Sequence, residues 1–239
     1  MTMNPFTAPP RKMSRTLRAL AWLLRYPDAE MRGLAPALAQ ALRNEGALDA
    51  ARLSELDALA KRLAGGDAIA TEAEYVELFD RGRRTALHLF EHVHGDSRDR
   101  GQAMVDLTQT YERAGLRMTG GELPDYLPVV LEFASSQPPR EAQAFLRETA
   151  HIARSIFSAL AERRSPYASV LAAVLDLAGE PAERVELAPE PPLDESWAEP
   201  EAFGGCASHG QSRPSEPQPI HIVRTAKAAP RAAARGASA

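Results

Sequence analysis

One cysteine, Cys206, stands in 239 residues, which rules out an internal disulfide and leaves too few thiolates for a metal site. Aromatic residues make up only 6% of the chain, and no alternating apolar–polar run of useful length occurs. A β-sheet therefore has little to be built from. The uninterrupted apolar runs fall far short of the roughly 20 residues that span a bilayer. The opening MTMNPFTAPPRKM carries no apolar h-region, so no secretory signal is expected. A surplus of positive charge is missing too: 28 Lys and Arg face 32 Asp and Glu, a net −4. Phosphate backbones need a clustered positive field, so no nucleic-acid surface is expected. Phosphate-cradling glycine loops, nucleophile elbows and paired acid/base sets are also lacking. What is present is alanine and leucine at helical spacing, the pattern of an all-α cytoplasmic protein.

The apolar periods predict about nine helices in one compact, bundle-like domain. Ser14 is expected to cap the first, with Leu17, Leu20, Ala21 and Leu24 inward. A second follows Tyr26-Pro27-Asp28 with Met31, Leu34, Ala35, Leu38 and Leu42 on one face, kinked or split at Pro36. A third runs from Leu53 to Leu63 and stops at Gly65-Gly66. Thr71 and Glu74 read as a capping box for a fourth that carries Tyr75, Leu78 and Phe79. A fifth holds Leu87 to Val93. A sixth runs from about Ser97 to Ala114, burying Ala103, Met104, Leu107 and Tyr111 before Gly115. Leu123-Pro124-Asp125, Pro138-Pro139 and Ser165-Pro166 open the last three.

After Gly179 the character changes. Residues 180–203 hold eight acidic side chains against one arginine, and eight of the 19 prolines fall between 181 and 219. Such a stretch buries too little apolar area to offset its ordering entropy. The expected organisation is a flexible 1–12, a helical domain over 13–179, and a largely disordered acidic tail over 180–239. Two apolar islands in that tail, WAEPEAFGGC from Trp197 and IHIV from Ile220, suit docking on a partner or on the protein's own groove.

Candidate function concentrates in LHLFEHVHGDSRDRG, Leu87 to Gly101, with three histidines and five formal charges among apolar helical segments. On a continuous helix His88 and His92 share a face. Glu91 and His94 would complete a metal-binding set, the basis for a metal-dependent hydrolase as one alternative. The bland alternatives are surface or capping histidines, a solvated charge run at Arg98, Asp99 and Arg100, and simple capping by Glu122, Asp125 and Tyr126. A general helical scaffold with a peptide groove is a further alternative.

The residues EYVELFDRGRRTALHLFEHVHGDSRDRGQAMVDL, Glu74 to Leu107, resemble the delta-subunit family of respiratory nitrate reductase. These are the NarJ-type assembly chaperones, within the TorD-like redox-enzyme maturation proteins. ELPDYLPVVLEF, Glu122 to Phe133, resembles the family's second signature, and LAWLLRYPDAE fits its first helix. DESWAEPEAFGGC and QPIHIV resemble its C-terminal segments, so the likeness covers about residues 14–223.

The resemblance implies a dedicated chaperone, not an enzyme, with no metal or cofactor of its own. It implies binding to the apo catalytic (alpha) subunit through that subunit's N-terminal peptide, with no insertion into the membrane. Molybdenum cofactor insertion would then precede membrane docking, and the chaperone would leave before the enzyme is complete. A helical groove suits an amphipathic peptide. The residues expected to meet it are Glu91, His92, His94, Arg98, Asp99, Arg100, Glu122, Pro124, Asp125 and Tyr126. Relatives in the wider group often carry histidine where Tyr126 stands, so an imidazole-dependent role there, nucleotide-linked ones included, is not carried over.

Overall fold

The computed structural model describes residues 12–94, 99–118 and 121–187. Within them lie nine α-helices and one 3-10 turn. The helices are α1 (Ser14–Leu23), α2 (Ala29–Glu45), α3 (Ala50–Gly65), α4 (Ala68–Phe79) and α5 (Leu89–Val93), with the 3-10 turn Arg83–Thr85 between the last two. Then come α6 (Asp99–Arg113), α7 (Leu127–Ser136), α8 (Pro139–Glu162) and α9 (Ala168–Ala178). The all-α expectation is met; the one extended pairing among the described residues is an isolated bridge between His88 and Tyr126.

The architecture follows from α9. Val170, Leu171, Ala172, Ala173, Val174, Leu175, Leu177 and Ala178 are all buried, so this helix is apolar around its whole circumference. A helix of that kind has to be wrapped. It packs on α8, α3 and α1, and α1 in turn lies against α2 and α7. The exposed Asp176 receives Arg52 of α3 at 2.8 Å.

Aspartates start three helices. Asp28, Asp49 and Asp67 each accept from a backbone N–H three residues on, at Met31, Arg52 and Ala70. Asp67 therefore takes the capping role expected of Thr71. Thr71 sits inside α4, where its hydroxyl donates back to the Asp67 carbonyl at 2.7 Å. Ser14 is also helical rather than a cap. Its hydroxyl donates to the Ser135 carbonyl at 2.5 Å, while Glu45 at the end of α2 accepts the Arg15 and Thr16 N–H groups. In both cases a carboxylate one step away in sequence or space outcompetes the hydroxyl for the positive helix end.

Other expectations need correction. α2 runs unbroken through Pro36, which lies on its exposed side. Leu34 is 37% exposed, and Met31, Ala35, Ala39 and Leu42 form the buried stripe. In α6 Tyr111 is buried, whereas Ala103, Met104 and Leu107 are half-buried. Residues 180–187 run back along α8. Glu180 meets Arg154 at 3.1 Å and Arg147 at 3.7 Å, and the Val185 N–H donates to Ser158 Oγ at 3.0 Å. Ala182 packs against the core. Ser97, Arg98, Cys206 and the islands at Trp197 and Ile220 lie outside the described residues.

These last contacts separate two chain ends. A chain stopped after Leu187 keeps the strap on α8, and one stopped after Gly179 loses it. Urea unfolding should find the shorter chain less stable by about 1–2 kcal/mol, the worth of one or two part-buried hydrogen bonds. Equal stabilities would show that residues 180–187 contribute nothing to the domain.

Candidate functional site

The two signature segments are joined backbone to backbone. The Leu89 N–H donates to the Asp125 carbonyl at 3.0 Å, and the Leu127 N–H donates to the Leu87 carbonyl at 2.8 Å. Proline at 124 and the extended residues His88 and Tyr126 hold both strands of this short bridge open. The Asp125 side chain is fully buried. One of its oxygens accepts from the Phe90 N–H at 3.0 Å, and the other lies 3.4 Å from His88 Nδ1. A carboxylate supplied 35 residues downstream thus caps the five-residue α5. Capping, favourable helix-end electrostatics and relief of a buried N–H act together here.

Aromatic rings extend this knot. His88 stacks on Tyr126 with centroids 5.2 Å apart and planes 30° apart. The Tyr75 hydroxyl spends its proton on the Leu24 carbonyl at 2.7 Å, so the Tyr126 hydroxyl, 3.3 Å away, donates to it. Burial pushes the Tyr75 hydroxyl pKa far up and that of Tyr126 up as well, keeping both neutral donors. The hydrogen bond to Asp125 raises the His88 pKa, opposed by the ring's own burial. The knot thereby ties α1, α4, α5 and α7 together at one point.

The expected site residues divide into two groups around it. Pro124, Asp125 and Tyr126 meet His88 in the knot, and the Pro124 carbonyl accepts from the buried Tyr111 hydroxyl at 2.8 Å. His92 donates from Nε2 to the Ala86 carbonyl at 2.9 Å, an inward, structural bond. Glu91 pairs with Arg100 at 3.4 Å near the surface, His94 stands edge-on to Phe90 at 5.5 Å, and Asp99 begins α6 exposed. Arg98 is outside the described residues. The shared helical face assumed for His88 and His92 does not form, because α5 starts only at Leu89. Among the described residues no three His, Cys, Asp or Glu side chains converge on a point fit for a metal ion.

Beside the knot opens a cleft of about 450 Å³. α1 lines it with Arg18 and Trp22, the turn after α1 with Arg25, α7 with Pro128, Val129, Glu132 and Phe133, and the α6–α7 connection with Leu116, Arg117, Met118 and Glu122. Tyr126 links knot to cleft. Arg25 lies over the Trp22 ring at 4.5 Å, and Arg18 donates to Ser135 Oγ at 3.2 Å. The lining combines the rings of Trp22, Tyr111, Tyr126 and Phe133 with three arginines, Arg18, Arg25 and Arg117, and two carboxylates, Glu122 and Glu132. The α1 contribution escaped sequence reasoning. Its signal is the i, i+4 spacing of Arg18 and Trp22 on the side of α1 away from Leu17 and Leu20, with Arg25 just past the helix end.

The family model for the nitrate reductase delta subunit matches residues 27–173. The chain is 42% identical over 156 residues to "Nitrate reductase molybdenum cofactor assembly chaperone NarJ" of Escherichia coli (strain K12), covering 65% of this chain and 66% of that protein. It thus spans just under two thirds of that relative's length. It is 33% identical over 163 residues to a Bacillus subtilis (strain 168) protein named "Probable nitrate reductase molybdenum cofactor assembly chaperone NarJ", covering 67% of this chain and 86% of that one. A crystallised Archaeoglobus fulgidus chain described as a redox enzyme maturation protein superposes with a TM-score of 0.50 at 22% identity, over 75% of this chain and 100% of the other. That likeness is one of fold.

The knot yields a stability test. Asp125→Ala leaves the Phe90 N–H buried without an acceptor and should cost about 2–4 kcal/mol; Asp125→Asn keeps an acceptor and should cost less. The raised His88 pKa gives the sign of a pH effect. Its stabilisation is complete below the unfolded value of about 6.5 and is lost as pH rises through the folded value. Urea unfolding at pH 6 and pH 8 should therefore show the wild-type advantage over Asp125→Asn shrinking at the higher pH. An advantage that grows instead would contradict the pair.

Proposed function

The chain belongs to the nitrate reductase delta-subunit family, and from that premise we propose that it is an assembly chaperone for respiratory nitrate reductase, not an enzyme and not a component of the finished complex. It binds the apo catalytic subunit in the cytoplasm, receives that subunit's N-terminal peptide, and holds it while the molybdenum cofactor is inserted. The observation that carries this reading is the 42% identity over 156 residues to the named Escherichia coli chaperone. No helix among the described residues is long and apolar enough to cross a membrane, which agrees with a partner that acts before membrane docking.

The cleft is the proposed seat of the peptide. Its size suits two or three apolar side chains of an amphipathic helix, set against Trp22, Tyr126, Val129 and Phe133. Arg18, Arg25 and Arg117, with Glu122 and Glu132, offer charges of both signs to the peptide's polar side, and complementary charge sets register more than affinity. Glu91, His94, Arg98, Asp99 and Arg100 are proposed as an outer rim for the rest of the partner. Pro124, Asp125 and His92 act through position, because their polar groups are taken up by the protein itself.

Calorimetry with the N-terminal peptide of a nitrate reductase catalytic subunit tests this. Binding should carry a negative heat-capacity change from apolar burial. Trp22→Ala should weaken it about tenfold to a hundredfold, as expected for about 1.5–3 kcal/mol of lost apolar burial; because Trp22 also packs on the core, binding is compared at a temperature where the variant is folded. Binding that vanishes in moderate salt yet ignores Trp22→Ala would move the contact out of the cleft to the charged rim.

A further inference from the structure

A surface helix normally turns polar residues outward. α4 does not. Its inner side buries Thr71, Tyr75, Leu78 and Phe79, yet its outer side carries Ile69, Ala73 and Val76 at i, i+4 and i+7. Ile69 is 79% exposed, and Tyr26, itself 43% exposed, stands at the edge of the same shallow groove. The groove measures about 630 Å³ and shares no lining residue with the cleft.

Carboxylates frame this apolar stripe. Glu74 is paired with Arg62 at 2.6 Å and Glu77 with Arg81 at 3.2 Å. Glu72, which accepts the Tyr26 hydroxyl at 3.0 Å, and the exposed Asp80 have no cation within ion-pair distance among the described residues. The Tyr26 hydroxyl reports the local field: its pKa is raised first by the hydrogen bond to Glu72, with Asp80 and Asp28 adding to it. The surface is apolar along its centre and negative at its margins.

We propose that the outer face of α4 is a second docking surface, separate from the cleft, for a cationic amphipathic helix of a partner protein. Such a helix sets aliphatic side chains along Ile69, Ala73 and Val76 while its lysines or arginines meet Glu72 and Asp80. The margins disfavour the other occupants. A second copy would bring its own Glu72 and Asp80 to the same seam and supply no further cation beyond the already paired Arg62 and Arg81. An anionic lipid surface would be repelled for the same reason.

The test uses the full chain and two synthetic probes, a 16-residue helix with leucines at i, i+4, i+7 and i+11 flanked by lysines, and its counterpart with glutamates for the lysines. Fluorescence anisotropy should show the lysine probe binding at least tenfold tighter than the glutamate probe. Ile69→Ser and Glu72→Gln should each weaken the lysine probe several-fold, the second also flattening its salt dependence, with the melting temperature unchanged. Trp22→Ala, which disables the cleft, should leave this binding intact. Equal affinities for the two probes would overturn the proposal, as would loss through Trp22→Ala but not through Ile69→Ser. Sedimentation of the wild-type chain as a dimer that Ile69→Ser dissolves would overturn it in favour of a self-interface.

Discussion

The buried carboxylate of Asp125 is the constraint on which the rest of the site depends. α5 has five residues, too few to hold itself as a helix in water. It persists because Asp125 closes its N-terminal end and because the Leu87–Leu89 backbone pairs with Asp125–Leu127. That pairing fixes where α7 begins, and the start of α7 fixes Tyr126 at the head of the cleft. The knot and the head of the cleft are thus assembled from segments far apart in the chain, and the polar group that assembles them is withdrawn from solvent.

The helical framework was readable because local signals and global packing agree over most of the chain. Leu17, Leu20 and Leu24, or Leu56, Leu59 and Leu63, occupy the core their spacing predicts. The aspartates before α2, α3 and α4 cap as short-range chemistry dictates, and at α4 Asp67 takes the end that the Thr71–Glu74 pattern also fits. The knot was not readable in the same way. Spacing puts His88 and His92 on one helical face only if the helix is continuous. What stops it at Leu89 is a carboxylate at position 125, a long-range partner that no local period reports. The signature resemblance marked both segments as important without saying that each holds the other.

Charge on this molecule serves two distinct ends. Arg52 with Asp176, or Glu45 on the first turn of α1, closes gaps in the framework and has no capacity left for a partner. Glu122 and Glu132 face open cleft, and Glu72 and Asp80 face an apolar stripe. Exposed ion pairs add little stability, typically below about 1 kcal/mol each. Carboxylates of the second kind therefore add little to the framework and leave their charge available at the surface.

The walls of the cleft are held with unequal firmness. α1 and α7 are pinned by buried stripes on the sides they turn from the cleft, so they form a rigid bed. The third wall, made by Leu116, Arg117, Met118 and Glu122, follows α6, whose one fully buried residue is Tyr111. Tyr111 holds that helix through its ring against Phe133 at 4.6 Å and through its hydroxyl on the Pro124 carbonyl. A single aromatic anchor costs far less to displace than a packed leucine stripe, so low-energy openings of the domain concentrate on this side. In this fold the yielding wall and the rigid bed meet at the second signature, where Pro124 carries the anchor and Asp125 the cap.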